Sequence, residues 1–163
     1  ARSYCTTHCS NNIKEQVICR ILHHKLAIDQ VEDDGEAWHY LGMALLDYYN
    51  HQQVESSSNE VADIEGTLEL AISCLHMASE YTPCDGRLYN NLGIALERQR
   101  SRSSSTVAED LHSKIVSAYE RSIMIHSKCE SVGCDVGADY ESACLNYGLY
   151  LSKLDLSPPT IPS

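Results

Sequence analysis

Apolar residues recur at helical spacing along almost the whole chain, and no stretch alternates apolar and polar positions as a half-buried strand does. Four capping boxes precede apolar runs: Asn12/Glu15, Asp33/Glu36, Ser57/Glu60 and Thr106/Glu109. In such a pair the first side chain accepts from an orphan backbone N–H while the carboxylate reaches back to the cap. Asp85 before Gly86 marks a fifth helix start, and Gly137 to Asp139 a sixth. The pattern predicts an all-α chain with helices near 11–30, 35–50, 59–81, 86–100, 106–128 and 138–154. His51 to Asn59 and Arg98 to Ser105 are polar interruptions. Residues 1–10 are expected to be flexible, and 157–163, with three of the four prolines, to form a disordered tail.

Self-similarity sharpens this reading. Trp38-x2-Leu41-Gly42-x2-Leu45 recurs as Tyr89-x2-Leu92-Gly93-x2-Leu96, and more weakly as Cys144-x2-Tyr147-Gly148-x2-Leu151. A mid-helix Gly costs about 1 kcal/mol relative to Ala. Its return at one position predicts three places where a neighbouring helix backbone approaches closely. Ala71-x3-Leu75-x2-Ala78-x4-Pro83 follows the first segment, and Ile115-x3-Tyr119-x2-Ser122 the second. The small residues let helices approach, and Leu75 and Tyr119 fill the space between.

These residues resemble the tetratricopeptide repeat family, with "YNNLGIALE" and "YERSIMIH" most similar to its two helices. The resemblance implies a short right-handed α-α superhelix of about six antiparallel helices over residues 11–156. It would hold a half repeat (11–34, with "HKLAID"), a repeat 35–84 with an insertion near 51–60, a repeat 85–130 with an insertion near 98–105, and a terminal helix 137–155. The family's concave groove holds an extended peptide or a partner helix. By resemblance its wall here includes Glu36, His39, Tyr40, Met43 and Asp47 from the first repeat. The second supplies Arg87, Asn90, Asn91, Ile94 and Arg98, and the third Ser142, Leu145, Asn146, Leu149 and Lys153. Asn91 and Asn146 occupy equivalent places, where an amide could pair with a ligand backbone or with contacts inside the array. Members that grip a chaperone's terminal carboxylate carry Lys and Asn where this chain has His39 and Met43, so that role is excluded.

Composition narrows the functions further. The 163 residues include 12 Lys+Arg and 23 Asp+Glu, for a net charge of −11. That length suits one domain burying roughly 70% of its unfolded surface. An apolar content of 43% excludes a wholly disordered chain. No apolar run approaches the ~20 residues of a membrane span, which leaves only peripheral membrane association open. The acidic balance argues against nucleic-acid binding, with Arg98 to Arg102 the one local basic patch. Ser101, Ser103, Ser104 and Ser105 in that stretch could accept phosphate, favourably near a helix N-terminus, or serve as a soluble linker. The acids Asp29, Glu32, Asp33, Asp34 and Glu36 fail a calcium loop because Val31 and Leu41 occupy ligand positions, and read as a solvated cap.

Eight cysteines include three ten-residue steps: Cys9/Cys19, Cys74/Cys84 and Cys134/Cys144. Their spacing resembles the paired Cys-x9-Cys of coiled-coil-helix proteins of the mitochondrial intermembrane space. Cys84 after Pro83 and Cys134 between glycines depart from that hairpin, so buried thiols with one or two disulfides are expected. Cys5, Cys9, Cys19 and His23 form a nonstandard candidate zinc set; no cofactor is expected. The start Ala1-Arg2-Ser3-Tyr4 lacks both Met and a signal-type apolar stretch. A fragment or a processed organellar protein of a plastid or mitochondrion is expected ahead of a cytosolic one. No nucleophile elbow, metalloprotease motif or phosphate-binding glycine loop occurs. The expected function is therefore a protein–protein interaction module, an adaptor or peripheral subunit whose end helices, 11–30 and 138–154, expose apolar edges to neighbours. A redox- or zinc-responsive helical protein is the alternative, and an enzyme with a dispersed site the third class.

Overall fold

The computed structural model describes residues 12–55, 61–131 and 137–155. Among them are six helices and no strand: α1 (Ile13–Gln30), α2 (Gly35–Glu55), α3 (Val61–Tyr81), α4 (Gly86–Arg100), α5 (Ser105–Ser131) and α6 (Gly137–Asp155). The all-α expectation holds. The chain divides into two compact units, Ala1–Pro83 with α1 to α3 and Cys84–Ser163 with α4 to α6.

Local chemistry sets the helix starts. Asn12 accepts from the Lys14 N–H and Asp85 from the Arg87 N–H, both at 3.0 Å, as N-cap side chains do. The cap of α2 is Asp34 rather than the expected Asp33, and its carboxylate accepts from Ala37 N–H at 3.0 Å. The first residue of the helix sits in tight space: a Cβ on the buried Gly35 would lie 2.6 Å from Thr82 Cγ2 and 2.9 Å from Tyr81 Cβ. Similarly, α5 begins before Thr106, with the Ser104 carbonyl accepting from Ala108 N–H at 2.9 Å. The Ser57/Glu60 box lies outside the described residues. His51 to Glu55 continue α2, since the segment contains no Gly or Pro to end it.

In the first unit α2 packs on both α1 and α3, which do not pack on each other. Gly35 meets Tyr81 and Thr82, while Gly42 meets Leu75 and Ala71, so α2 and α3 run antiparallel. A Cβ on Gly42 would lie 2.8 Å from Leu75 Cγ and 3.2 Å from the Ala71 carbonyl oxygen. Ala71, Leu75 and Ala78 are fully buried there, beside Leu41, Ala44, Leu45 and Tyr49. On the other flank Arg20 pairs with Asp47 at 2.9 Å across α1 and α2.

The second unit repeats the antiparallel contact. Gly86 abuts His126, and a Cβ on Gly93 would lie 2.7–3.0 Å from the Tyr119 ring. Ser122 is buried and donates to the Gly86 carbonyl at 2.7 Å. Arg100 Nε donates to the Ala108 carbonyl at 3.1 Å, closing the other end of the pair. Helix α6 packs against both partners. Asn146 reaches Asn90 and Lys153 reaches Glu97, so α4 and α6 run parallel. His112 pairs with the Tyr150 hydroxyl, and the Tyr119 and Tyr147 rings stack with centroids 5.8 Å apart.

The expected close approach at Gly148 is corrected. This glycine is exposed, and a Cβ there would meet nothing within 4 Å. Helical spacing repeats the glycine, but no described helix follows α6 to press against it. At Gly93, too, the close neighbour is an aromatic ring rather than backbone.

The two glycines should therefore respond oppositely to substitution. Gly93→Ala gains helix propensity but forces the pinned Tyr119 ring to move, and is expected to destabilise the fold by about 1–2 kcal/mol net. Gly148→Ala meets no obstacle and is expected to stabilise by up to about 1 kcal/mol. Urea unfolding of both variants checks the pair.

Candidate functional site

Each unit presents its own surface, and the residues expected to line one groove divide by burial. On α2, His39 is 2% exposed and so forms no part of an open wall, contrary to expectation. Helix α2 is flanked on two sides, so its buried arc is wider than a single neighbour would make it. Tyr40 is exposed, with its ring stacked on His24 of α1 at 5.4 Å, and Met43 is half-buried. Burial chiefly lowers the His24 pKa, helped by His23 and Arg20 and opposed by Asp34. Trp38 is half-buried and donates from Nε1 to the Glu32 carbonyl at 2.8 Å.

In the second unit Asn90 is buried, and its carbonyl oxygen accepts from Asn146 at 3.0 Å. These two amides, placed on the groove wall by resemblance, join α4 to α6, which for Asn146 is the second of the two roles left open. Arg87 folds back on its own helix cap, with two bonds to the Asp85 carboxylate at 3.1 and 3.0 Å. Asn91, Ile94 and Arg98 are half-buried, whereas Leu145 and Leu149 are 62% and 50% exposed. Behind them Tyr119 donates to Glu97 at 2.6 Å, and Lys153 donates to the same carboxylate at 3.0 Å. Burial, reinforced by the Glu97 contact, pushes the Tyr119 phenol far above its ordinary pKa, so it remains a hydrogen-bond donor. Tyr89 and Leu92 are buried, and the Arg121 guanidinium lies 4.3 Å from the Tyr89 ring centre.

An apolar opening lies elsewhere in the first unit. A groove of about 500 Å³ is lined by Ile18, Ile21 and Leu22 of α1, Leu45 and Tyr48 of α2, and Gly66, Thr67 and Leu70 of α3. It exists because α1 and α3 flank α2 without meeting, and because Gly66 adds no side chain to the gap. Leu22 and Leu70 are 55% and 53% exposed along its walls. Sequence reasoning missed these residues. The signal was available: α1 buries Val17 and Ile28, yet Ile18, Leu22 and Leu26 continue a second, outward stripe at four-residue spacing. Apolar side chains are exposed on α1 (Ile13, Ile18, Leu22, Leu26) and α6 (Leu145, Leu149, Leu151), the helices expected to carry apolar edges, and also on α2 (Val54), α3 (Leu70) and α5 (Val107, Met124).

Among the described residues no group of three or more His, Cys, Asp or Glu side chains could hold a metal ion. Cys5 and Cys9 lie outside the described residues; Cys19 is half-buried and His23 exposed on α1. Cys19, Cys74, Cys84 and Cys144 are free thiols, so the 74/84 pair forms no disulfide. No described helix is long and apolar enough to cross a membrane. Comparison with known proteins finds no matching family model, no similar curated protein and no similar solved structure.

Thiol reactivity should follow burial. Cys74 is buried and its pKa is pushed up to about 11, while Cys84 is exposed. In the native protein at pH 8, a thiol reagent should label Cys84 at least about 100-fold faster than Cys74, which waits on opening of its unit. Peptide mapping of a labelling time course measures both rates.

Proposed function

We propose that the chain is a protein–protein interaction module built from tetratricopeptide-like helix pairs, an adaptor or peripheral subunit of a larger assembly. The internal correspondence of its two units supports the repeat reading. Asp34, Gly35 and Gly42 stand in α2 as Asp85, Gly86 and Gly93 stand in α4. Ala71, Leu75 and Ala78 in α3 match Ile115, Tyr119 and Ser122 in α5. Each unit thus carries an antiparallel pair closed at a glycine, with a third helix alongside.

The observation that carries the function is the open apolar groove of the first unit. Exposed leucines on both walls of a 500 Å³ groove offer a partner's apolar side chains a concave seat. Its mainly aliphatic lining between two helices suits the apolar face of an amphipathic helix from another subunit, anchored by side chains four residues apart. The exposed leucines of α6 supply a second apolar edge for a neighbour. Stacked helix pairs bury one face of each helix and present the others, and binding is what such arrays offer in place of a reaction centre.

The double variant Leu22→Glu/Leu70→Glu tests this reading. Both positions are exposed, so the melting temperature should stay within a few degrees of the parent. A protein that co-purifies stoichiometrically with the tagged parent chain from its native source, and cross-links to α1 or α3, should be lost at least about tenfold from the variant. Absence of any stoichiometric companion, or one the variant retains undiminished, overturns the proposal.

A further inference from the structure

The second unit contains a charged cleft unlike the rest of this acidic chain. It has a volume of about 250 Å³ and is lined by Glu97, Arg98, Arg100 and Ser101 at the end of α4, with Tyr150 and Lys153 of α6. Three cations and one carboxylate share it. The carboxylate is fully engaged: Glu97 accepts from Tyr119 on one oxygen and from Lys153 on the other. Among the described residues, that leaves neither guanidinium group in an ion pair. Arg100 uses Nε on the Ala108 carbonyl and lies 5.9 Å from the Tyr150 ring centre, so its head is held in place. The Arg98 guanidinium, half-buried, makes no hydrogen bond or ion pair among the described residues.

Cations in the last turn of a helix commonly serve its unpaired carbonyls. Here those carbonyls are already met. Glu97 O accepts from Ser101 N, Arg98 O from Ser101 Oγ, Gln99 O from Arg102 N and Ser103 Oγ, and Arg100 O from Ser103 N. The two arginines are therefore surplus to the capping of α4, and no other described residue engages their remaining donors. Planar guanidinium forks bind oxyanions bidentately, and two of them match a doubly charged, multi-oxygen group better than a single carboxylate.

We propose that this cleft is a binding site for a phosphoryl group, held by Arg98 and Arg100 with Lys153 at its edge. The group is carried either by a small phosphate or by a phosphorylated side chain of a partner. The site is independent of the apolar groove in the first unit.

Titration of the full chain, followed by the side-chain Nε–Hε signals of arginine in NMR, tests it at constant ionic strength. The probes are inorganic phosphate, acetate, chloride, and a capped Ala-Ser-Ala tripeptide with and without phosphate on its serine. Phosphate should shift the Arg98 and Arg100 signals along a saturating curve in the millimolar range. Arg98→Gln should weaken it at least fivefold, with an unchanged melting temperature and backbone spectrum, and Arg100→Gln should do the same. A phosphotripeptide that binds more tightly than inorganic phosphate points to a partner's phosphorylated side chain, and the reverse to a small phosphate; either supports the site. Non-saturating shifts equal to those of chloride, acetate binding as tightly as phosphate, or undiminished affinity in Arg98→Gln each overturn it.

Discussion

A side chain can lie almost against a neighbouring helix axis only where that neighbour carries no Cβ. Leu75 against Gly42 and Tyr119 against Gly93 are two such contacts, and they fix how closely α2 packs on α3 and α4 on α5. Both side chains are fully buried, and the small residues around them, Ala71 and Ala78 in one unit and Ser122 in the other, remove what would otherwise hold the helices apart. In the second unit the contact has a polar consequence. Because the Tyr119 ring is wedged over Gly93, its hydroxyl is delivered to Glu97, and Glu97 in turn tethers Lys153 of α6. A steric contact in the core thereby positions one wall of the charged cleft. It also engages the one carboxylate among the described residues that line the cleft, so no described carboxylate there pairs with the arginines.

The same contact explains which parts of this arrangement could be read from residue order. Gly42 and Gly93 were legible because each is followed, a helix later, by the residue that fills the gap. Gly148 shares their spacing without sharing their environment, since periodicity reports which face of a helix a residue occupies and not what stands opposite. His39 was misread for a related reason. A helix with one neighbour hides a narrow stripe, whereas α2 has two, and a position beside the expected stripe became core. Asn90 and Asn146 show the limit for polar residues: an amide on an inner helix face can serve a ligand or a sister helix, and the parallel pairing of α4 with α6 decided it. The described caps Asn12 and Asp85 stand where local chemistry placed them, and Asp34 one residue from the expected Asp33.

The apolar groove and the charged cleft were harder to foresee because both are made by what is missing. The groove is space between two helices that do not touch, deepened by a glycine with nothing over it. The cleft depends on carbonyls already satisfied by Ser101 and Ser103, which turns ordinary C-terminal cations into spare ones. Neither condition is written in a spacing.

Charge distribution separates the two surfaces further. Residues 1–83 hold 13 acidic and 4 basic side chains, and residues 84–163 hold 10 and 8. A strongly acidic first unit repels a second copy of itself, which disfavours self-association through its apolar groove and favours a partner of different charge. The apolar lining would then supply most of the affinity, because exposed ion pairs contribute little once solvent and salt screen them. The nearly balanced second unit repels an anion less at long range, so two preorganised guanidiniums can act at short range. Apolar burial in one unit and oxyanion pairing in the other draw on different physics, and salt separates them. Raised ionic strength weakens the second while leaving the first largely intact.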